Sequence, residues 1–302
     1  MSGSGTCGAI VRTTDGGSQF AGIPSPPVGA DAVTQLRFGD PRDGYAFDPE
    51  LWTTTNGGSS WSQVATPGAV TELEVADGEA YALVCTTSSP SCQTVELLRS
   101  PVGTSKWQTV STPTSLSYGA EFALSGPNLY VVAGSDHNVL MYSPNQGASF
   151  SNRTDPCHPG LNCRVTAAAS GTATLWIAAA TGTQAGALVS DNGGITWHVA
   201  SPKMAGFPNS LGLAAASSTV ALAWPGEQSS HGLPAAMART TNAGKSYSPV
   251  LASSRSVSWA GFSDASRAYA LVAAVGDGTR GPNRLFESTD GGALWHEVAI
   301  TG

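Results

Sequence analysis

Ser190-Asp191-Asn192-Gly193-Gly194-Ile195-Thr196-Trp197 is the stretch on which the fold turns, because near-copies of it recur along the whole 302-residue chain. The shared pattern is Ser/Thr-x-Asp/Asn-x-Gly-x-x-aromatic. It reads TTDGGSQF from Thr13, TTNGGSSW from Thr54, SPNQGASF from Ser143, TTNAGKSY from Thr240 and STDGGALW from Ser288. A seventh stretch, SPVGTSKW from Ser100, keeps only the ends, with Val102 in the acid position and Thr104 in the glycine position. Successive copies start 41 to 50 residues apart. A period in the forties with strand-rich text between turns predicts a β-propeller.

Each part of the pattern suits a hairpin turn. Glycine supplies a positive φ without a steric penalty, and the Asp or Asn side chain bonds back to nearby backbone amides. The opening hydroxyl can do the same. The aromatic (Phe20, Trp61, Trp107, Phe150, Trp197, Tyr247 or Trp295) begins the next strand and buries a large area.

Between the turns the text divides into four short strands per unit. The unit ending at Thr54 reads VTQLRFGD, DGYAFD, ELWTTT and SWSQVA, and the last reads SVSWAGFSD, RAYALVAA, RLFESTD and LWHEVAI. The alanine runs at 167–169, 178–180 and 214–216 could suggest helix. Their neighbours Trp176, Ile177, Leu222 and Trp224, with the phase of the repeat, favour packed inner strands. The first turn starts 13 residues in, so the first unit has room for its outer two strands only. The expectation is an all-β chain, one domain over 1–302. It would be a seven-bladed propeller with a partial first blade over 1–30 and six four-stranded blades over 31–302. The opening MSGSG reads as a truncation end. Cys7 precedes its turn much as Cys92 precedes Ser100, which would put its partner in the missing inner strands.

Charged residues make up 12% of the chain and the net charge is −7, with no basic stripe, which disfavours nucleic-acid binding. No apolar run approaches the length of a membrane span and no leader peptide is read. Cys85/Cys92 and Cys157/Cys163 are each close in sequence and predict two local disulfides, and with them an oxidising compartment: the extracellular space or cell surface. The competing reading is a metal site on Cys157, His158 and Cys163, which would need a fourth ligand from elsewhere. No cofactor or metal is expected.

The turn pattern resembles the Asp-box, or BNR repeat, of sialidases, sortilin-type receptors and plant photosystem II assembly factors. The resemblance places it between the third and fourth strands of a blade, as a structural feature on the face opposite the binding site. The aligning residues are Asp15, Asn56, Asn145, Asn192, Asn242 and Asp290. Residues 7–61 also resemble secreted actinobacterial BNR-repeat proteins, described as sialidase-like or WD40/YVTN/BNR-like, which implies export but no particular activity.

Catalytic signatures are weak. Where a sialidase would carry an Arg-Ile-Pro motif this chain reads Ala21-Gly22-Ile23-Pro24, and none of its arginines stands in a recognisable sialidase context. An inverting glycosidase needs two carboxylates flanking the scissile bond; Asp40 and Asp43 in GDPRDG are candidates, although the same residues are ordinary turn formers. No Ser/His/Asp order, nucleophile elbow or HExxH motif appears. The longest connections expected on the loop face are 153–163, 224–237 and 275–284, where function usually resides. They offer Arg153, Asp155, His158, Trp224, Glu227, His231, Asp277, Arg280 and Arg284 as ligand-binding candidates. An exposed tryptophan among charges would suit glycan or protein. The alternative is that Trp224 ends an inner strand. The expected function is thus a non-catalytic binding or scaffold module for a glycan or protein. A glycoside hydrolase is the alternative, and assembly assistance a third reading, though no arginine-rich patch is evident.

Overall fold

A computed structural model describes residues 10–15, 17–27, 33–87, 92–134, 139–154, 156–157, 162–181, 184–200, 211–225, 235–253, 256–274 and 281–300. Among them every regular element is a β-strand. A two-stranded sheet, β1 (Ile10–Arg12) and β2 (Ala21–Ile23), comes first. Six four-stranded antiparallel sheets follow. The first comprises β3 (Gln35–Phe38), β4 (Gly44–Phe47), β5 (Leu51–Thr54) and β6 (Ser62–Val64). The second is β7 (Ala69–Ala76), β8 (Glu79–Cys85), β9 (Val95–Pro101) and β10 (Gln108–Thr109). The third is β11 (Glu121–Ser125), β12 (Asn128–Val132), β13 (Leu140–Ser143) and β14 (Ser151–Arg153). The fourth is β15 (Asn162–Ala167), β16 (Leu175–Thr181), β17 (Gln184–Ser190) and β18 (His198–Val199). The fifth is β19 (Leu211–Ala215), β20 (Ala221–Pro225), β21 (Ala235–Thr240) and β22 (Ser248–Ser253). The sixth is β23 (Val257–Phe262), β24 (Ala268–Ala274), β25 (Gly281–Ser288) and β26 (His296–Val298).

Strand order follows chain order in every sheet. First strands lie beside first strands, from β3 through β7, β11, β15 and β19 to β23, which sets them round a common axis. The run 178–180 lies within β16, and the runs 167–169 and 214–216 close β15 and β19, so none is helix: small side chains let inner strands approach, and Ala168 and Ala215 bridge in parallel between sheets.

The repeated turns join third to fourth strands and share one hydrogen-bond scheme. The opening hydroxyl accepts the N–H four residues on, at 2.8–2.9 Å, in all six well-kept copies (Gly17, Gly58, Gly147, Gly194, Gly244 and Gly292 donating). It donates to the Asp or Asn Oδ1, as Ser190 does to Asn192 at 3.0 Å. That oxygen accepts a second N–H four residues further, as from Thr196 at 3.0 Å. In each four-stranded sheet the third-to-fourth turn, the one from Ser100 included, also anchors to the turn joining first and second strands. Gly57, Val102, Gln146, Gly193, Ala243 and Gly291 donate to the carbonyls of Arg42, Gly78, Pro127, Ala173, Thr219 and Ser266. Ser190 is fully buried, so Ser190→Ala would strand the Gly194 N–H. We expect a loss of about 1–3 kcal/mol, read as a lower urea midpoint with unchanged m-value.

Neighbouring sheets are clasped by arginine. Arg12 Nη1 donates to Gly57 O at 2.7 Å and Arg99 Nη1 to Gln146 O at 2.8 Å. Arg153 Nε donates to Gly193 O at 3.0 Å and Arg239 Nε to Gly291 O at 2.7 Å. In each pair the carbonyl belongs to the repeated turn of the following sheet. Apolar cores lie between sheets: Tyr45 and Phe47 pack with Leu73 and Val70, and Tyr81 and Leu83 with Phe122 and Leu129. The turn aromatics are half-buried in these seams rather than at a single centre, Trp107 meeting Tyr45 edge-on with centroids 5.9 Å apart.

The β1–β2 pair touches the first and the sixth four-stranded sheets. Ile23 Cδ1 lies over Gly58, and Trp61 Nε1 donates to Pro24 O at 2.9 Å. On its other side, Val298 Cγ1 of the sixth sheet comes within 3.0 Å of where a side chain on Gly17 would begin.

Candidate functional site

Antiparallel four-stranded sheets put the first-to-second and third-to-fourth connections at one end and the others at the opposite end. Asp40 and Asp43 belong to the repeated-turn end. Asp40 Oδ1 accepts the N–H groups of Arg42 and Asp43 at 2.7 and 2.8 Å, which closes a turn and holds its carboxyl below the usual range. Asp43 is raised by desolvation and then by Asp40. This pair is turn chemistry.

The opposite end holds a cavity of about 590 Å³ between the first strands β3, β7, β11 and β15. Gln35 and Arg37 come from β3, Thr71, Glu72 and Glu74 from β7, Glu121 from β11 and Arg164 from β15, with Tyr118 exposed at the rim. Period-2 alternation explains the lining: along β3, Gln35 and Arg37 face one way and Leu36 and Phe38 the other. Arg37 Nε and Nη2 donate to Glu74 Oε1 at 2.9 and 2.8 Å, and the guanidinium stacks over Phe47 at 5.9 Å. Arg164 Nη1 donates to Glu121 Oε1 at 2.7 Å, and the Val165 N–H reaches Oε2 at 3.2 Å.

Glu72 is set apart. Its carboxyl is pushed well above the ordinary glutamate range, first by desolvation and then by the Glu121 and Glu74 carboxylates; the Phe122 N–H and Arg164 oppose the shift. The folded state therefore keeps a proton that the unfolded chain releases as pH rises through about 4.5. The folded state is penalised progressively above that pH and not below it. Glu72→Gln is expected to raise Tm at pH 8 by about 3 °C, the scale of 1 kcal/mol in a chain this long, and to leave Tm at pH 3 unchanged. An equal shift at both pH values would rule out the titration.

Both predicted disulfides are formed, Cys85–Cys92 and Cys157–Cys163. Cys92 and Cys163 lie in the cavity wall. The alternative of two thiolates and His158 on a metal is thereby replaced, since those sulfurs bond each other.

Of the binding candidates, Asp155, His158, Glu227, His231, Asp277 and Arg280 lie outside the described residues, as does Cys7. The other three are not brought together. Arg153, on β14, clasps Gly193 and lies 5.2 Å over the Tyr142 ring, on a fourth strand away from the axis. Trp224 is 7% exposed, packed with Leu222, Met237 and Val257, so it offers no solvent-facing platform. Arg284 pairs with Glu297 at 3.1 Å across β25 and β26. The charged first-strand residues were missed. Their signal was the recurrence of Arg37, Glu72, Glu121 and Arg164 in the opening strand of four successive units.

Sheets of four strands set in chain order round an axis make this chain a β-propeller. No family model matches the sequence, and no curated protein matches it. Solved structures do match in fold. YCF48 from Cyanidioschyzon merolae aligns with 15% identity and a TM-score of 0.59, covering 91% of this chain and 88% of that one. YCF48 bound to D1 peptide gives 16% and 0.59, covering 99% and 88%. A GH74 xyloglucanase from Xanthomonas campestris gives 16% and 0.59, with 96% of this chain spanning 47% of that protein. No helix among the described residues is long and apolar enough to cross a membrane.

Proposed function

We propose that this chain is a non-catalytic binding module of the extracellular space or cell surface, taking a protein segment at the axial cavity. The observation that carries this reading is the pairing of charges there. Glu74 is bound by Arg37 and Glu121 by Arg164, so neither carboxylate is poised as a base or nucleophile. Glu72 is left with too little positive charge beside it. A cation from a ligand, such as a lysine side chain, would restore the balance and draw the proton off Glu72. Peptide is the first ligand class to test because a propeller of similar fold, YCF48, is solved with a peptide. Glycan is the second class. The repeated turns are read as Asp-boxes, with β1–β2 as the outer half of a seventh blade. Two disulfides support an oxidising setting.

The test is a peptide and oligosaccharide array read for both binding and product release. Retention of lysine-containing peptides, weakening as pH falls and lost in Glu72→Gln, is the expected result. Binding indifferent to Glu72 would sink the cavity as the site.

A second reading has one specific observation behind it. A carboxyl whose hold on its proton is raised by burial beside a second carboxyl is an arrangement that suits a glycosidase acid, and Glu72 near Glu121 has that character. Release of reducing sugar, abolished by Glu72→Gln, would establish it in place of the first.

A further inference from the structure

Both disulfides border the axial cavity, and burial separates them. Cys157 and Cys163 are 3% and 2% exposed and pack with Ile177 in the core. Cys85 and Cys92 are only half-buried. Thiol–disulfide exchange needs a thiolate to reach a sulfur, so an accessible bridge opens before an enclosed one. The accessible bridge is also tied to the cavity at both ends. Cys85 pairs with Ala69 of β7, the strand that carries Glu72 and Glu74 into the cavity. Cys92 stands in the wall itself, shortly before Val95, whose N–H donates to Leu116 O at 3.3 Å. That bond fastens the second sheet to the segment entering β11, which supplies Tyr118 and Glu121 to the same cavity. Without the bridge, the loop ends would be held by the Thr86 N–H on Thr94 O at 3.0 Å and by Thr87 Oγ1, which accepts the Gln93 N–H at 2.9 Å. The hydroxyl bond is exposed, so water competes for it.

We propose that Cys85–Cys92 is a reversible modification site, opened in the folded protein by a dithiol reductant while Cys157–Cys163 stays closed, and that opening it slackens the axial cavity. A thiolate of the reductant attacks one bridge sulfur, the S–S bond breaks, and the other cysteine leaves as a thiolate that takes up a proton. The reductant's second thiol, giving up its own proton, then displaces the remaining protein sulfur. The bridge thereby gains a pair of electrons and a proton on each sulfur, and the reductant leaves as a cyclic disulfide. An oxidising setting keeps this latch closed, so the tight form of the cavity is the resting one. The order of opening follows from burial alone. The effect on a ligand rests, in addition, on reading the cavity as the binding site.

To test this, the full chain is incubated with increasing dithiothreitol under native conditions, quenched with N-ethylmaleimide and mapped by peptide mass spectrometry. Cys85 and Cys92 should be labelled at about tenfold less reductant than Cys157 and Cys163. In protein opened at the first bridge alone, hydrogen exchange at the Val95 N–H should quicken. Fluorescein-labelled Gly-Gly-Lys-Gly-Gly, followed by anisotropy, should bind that form about tenfold more weakly, and reoxidation should restore both readings. The double variant Cys85→Ser with Cys92→Ser should bind as weakly and respond no further to reductant. Labelling of all the bridged cysteines together, or of Cys157 and Cys163 first, overturns the proposal. So does selective opening that leaves exchange at Val95 unchanged. If the oxidised chain does not bind the lysine probe, the functional reading fails, while labelling and exchange still decide the latch.

Discussion

Gly244→Ala is expected to lose about 4 kcal/mol or more, a large share of the roughly 5–15 kcal/mol by which a typical domain is stable. Two costs add. Gly244 has φ +77°, where a Cβ costs roughly 1–2 kcal/mol. That Cβ would also overlap the Ala200 carbonyl, a backbone group of the preceding sheet that cannot step aside. Two other glycines separate the costs. Gly171 has φ +72° with open space around the new atom, so Gly171→Ala should lose only about 1 kcal/mol. Gly22 has neither a positive φ nor a neighbour within 4 Å, and Gly22→Ala should be neutral or slightly stabilising. Urea titration of the three would rank them. An equal response would mean that the inter-sheet seam at Ala200 is not rigid.

Removing both disulfides should have an effect of similar size. Each closes a short loop, with sequence separations of 7 and 6, and the chain-entropy relation gives about 2.4 kcal/mol for a loop of that length. Replacing all four cysteines by serine is therefore expected to lower stability by about 5 kcal/mol. Function should fail earlier than folding. Cys92 and Cys163 stand in the wall of the axial cavity, so each single-bridge variant, still folded, should bind the cavity ligand less tightly. Unchanged affinity in both would show that the bridges stabilise the loops without shaping the site.

The architecture was legible because its determinants are local. Hydroxyl, Asx side chain and glycine make their bonds within four residues, so the turn announces itself in a single line of sequence. The clasps and the cavity were hidden because they are not local. Arg12, Arg99 and Arg239 each stand immediately before a repeated turn, which was visible. Their carbonyl partners lie 45, 47 and 52 residues on, and only the ring geometry brings them near. The cavity carboxylates and guanidiniums are spread from Arg37 to Arg164 at one or two per unit, too sparse to look like a motif. Trp224 misled for another reason. Its place before a Pro-Gly connection suggested exposure, whereas its alternation with Leu222 points the ring into the seam between sheets.

The clasps carry one more consequence. Among the described residues the arginine clasps each hold a sheet to the adjacent one, so the molecule is fastened link by link. A closed belt so made has no first link to fail, but a belt thinned at one place does. Heating or pulling should therefore open this protein at the contact of Val298 with Gly17 and proceed from there in both directions, the sheets around the Arg99 and Arg153 clasps parting last.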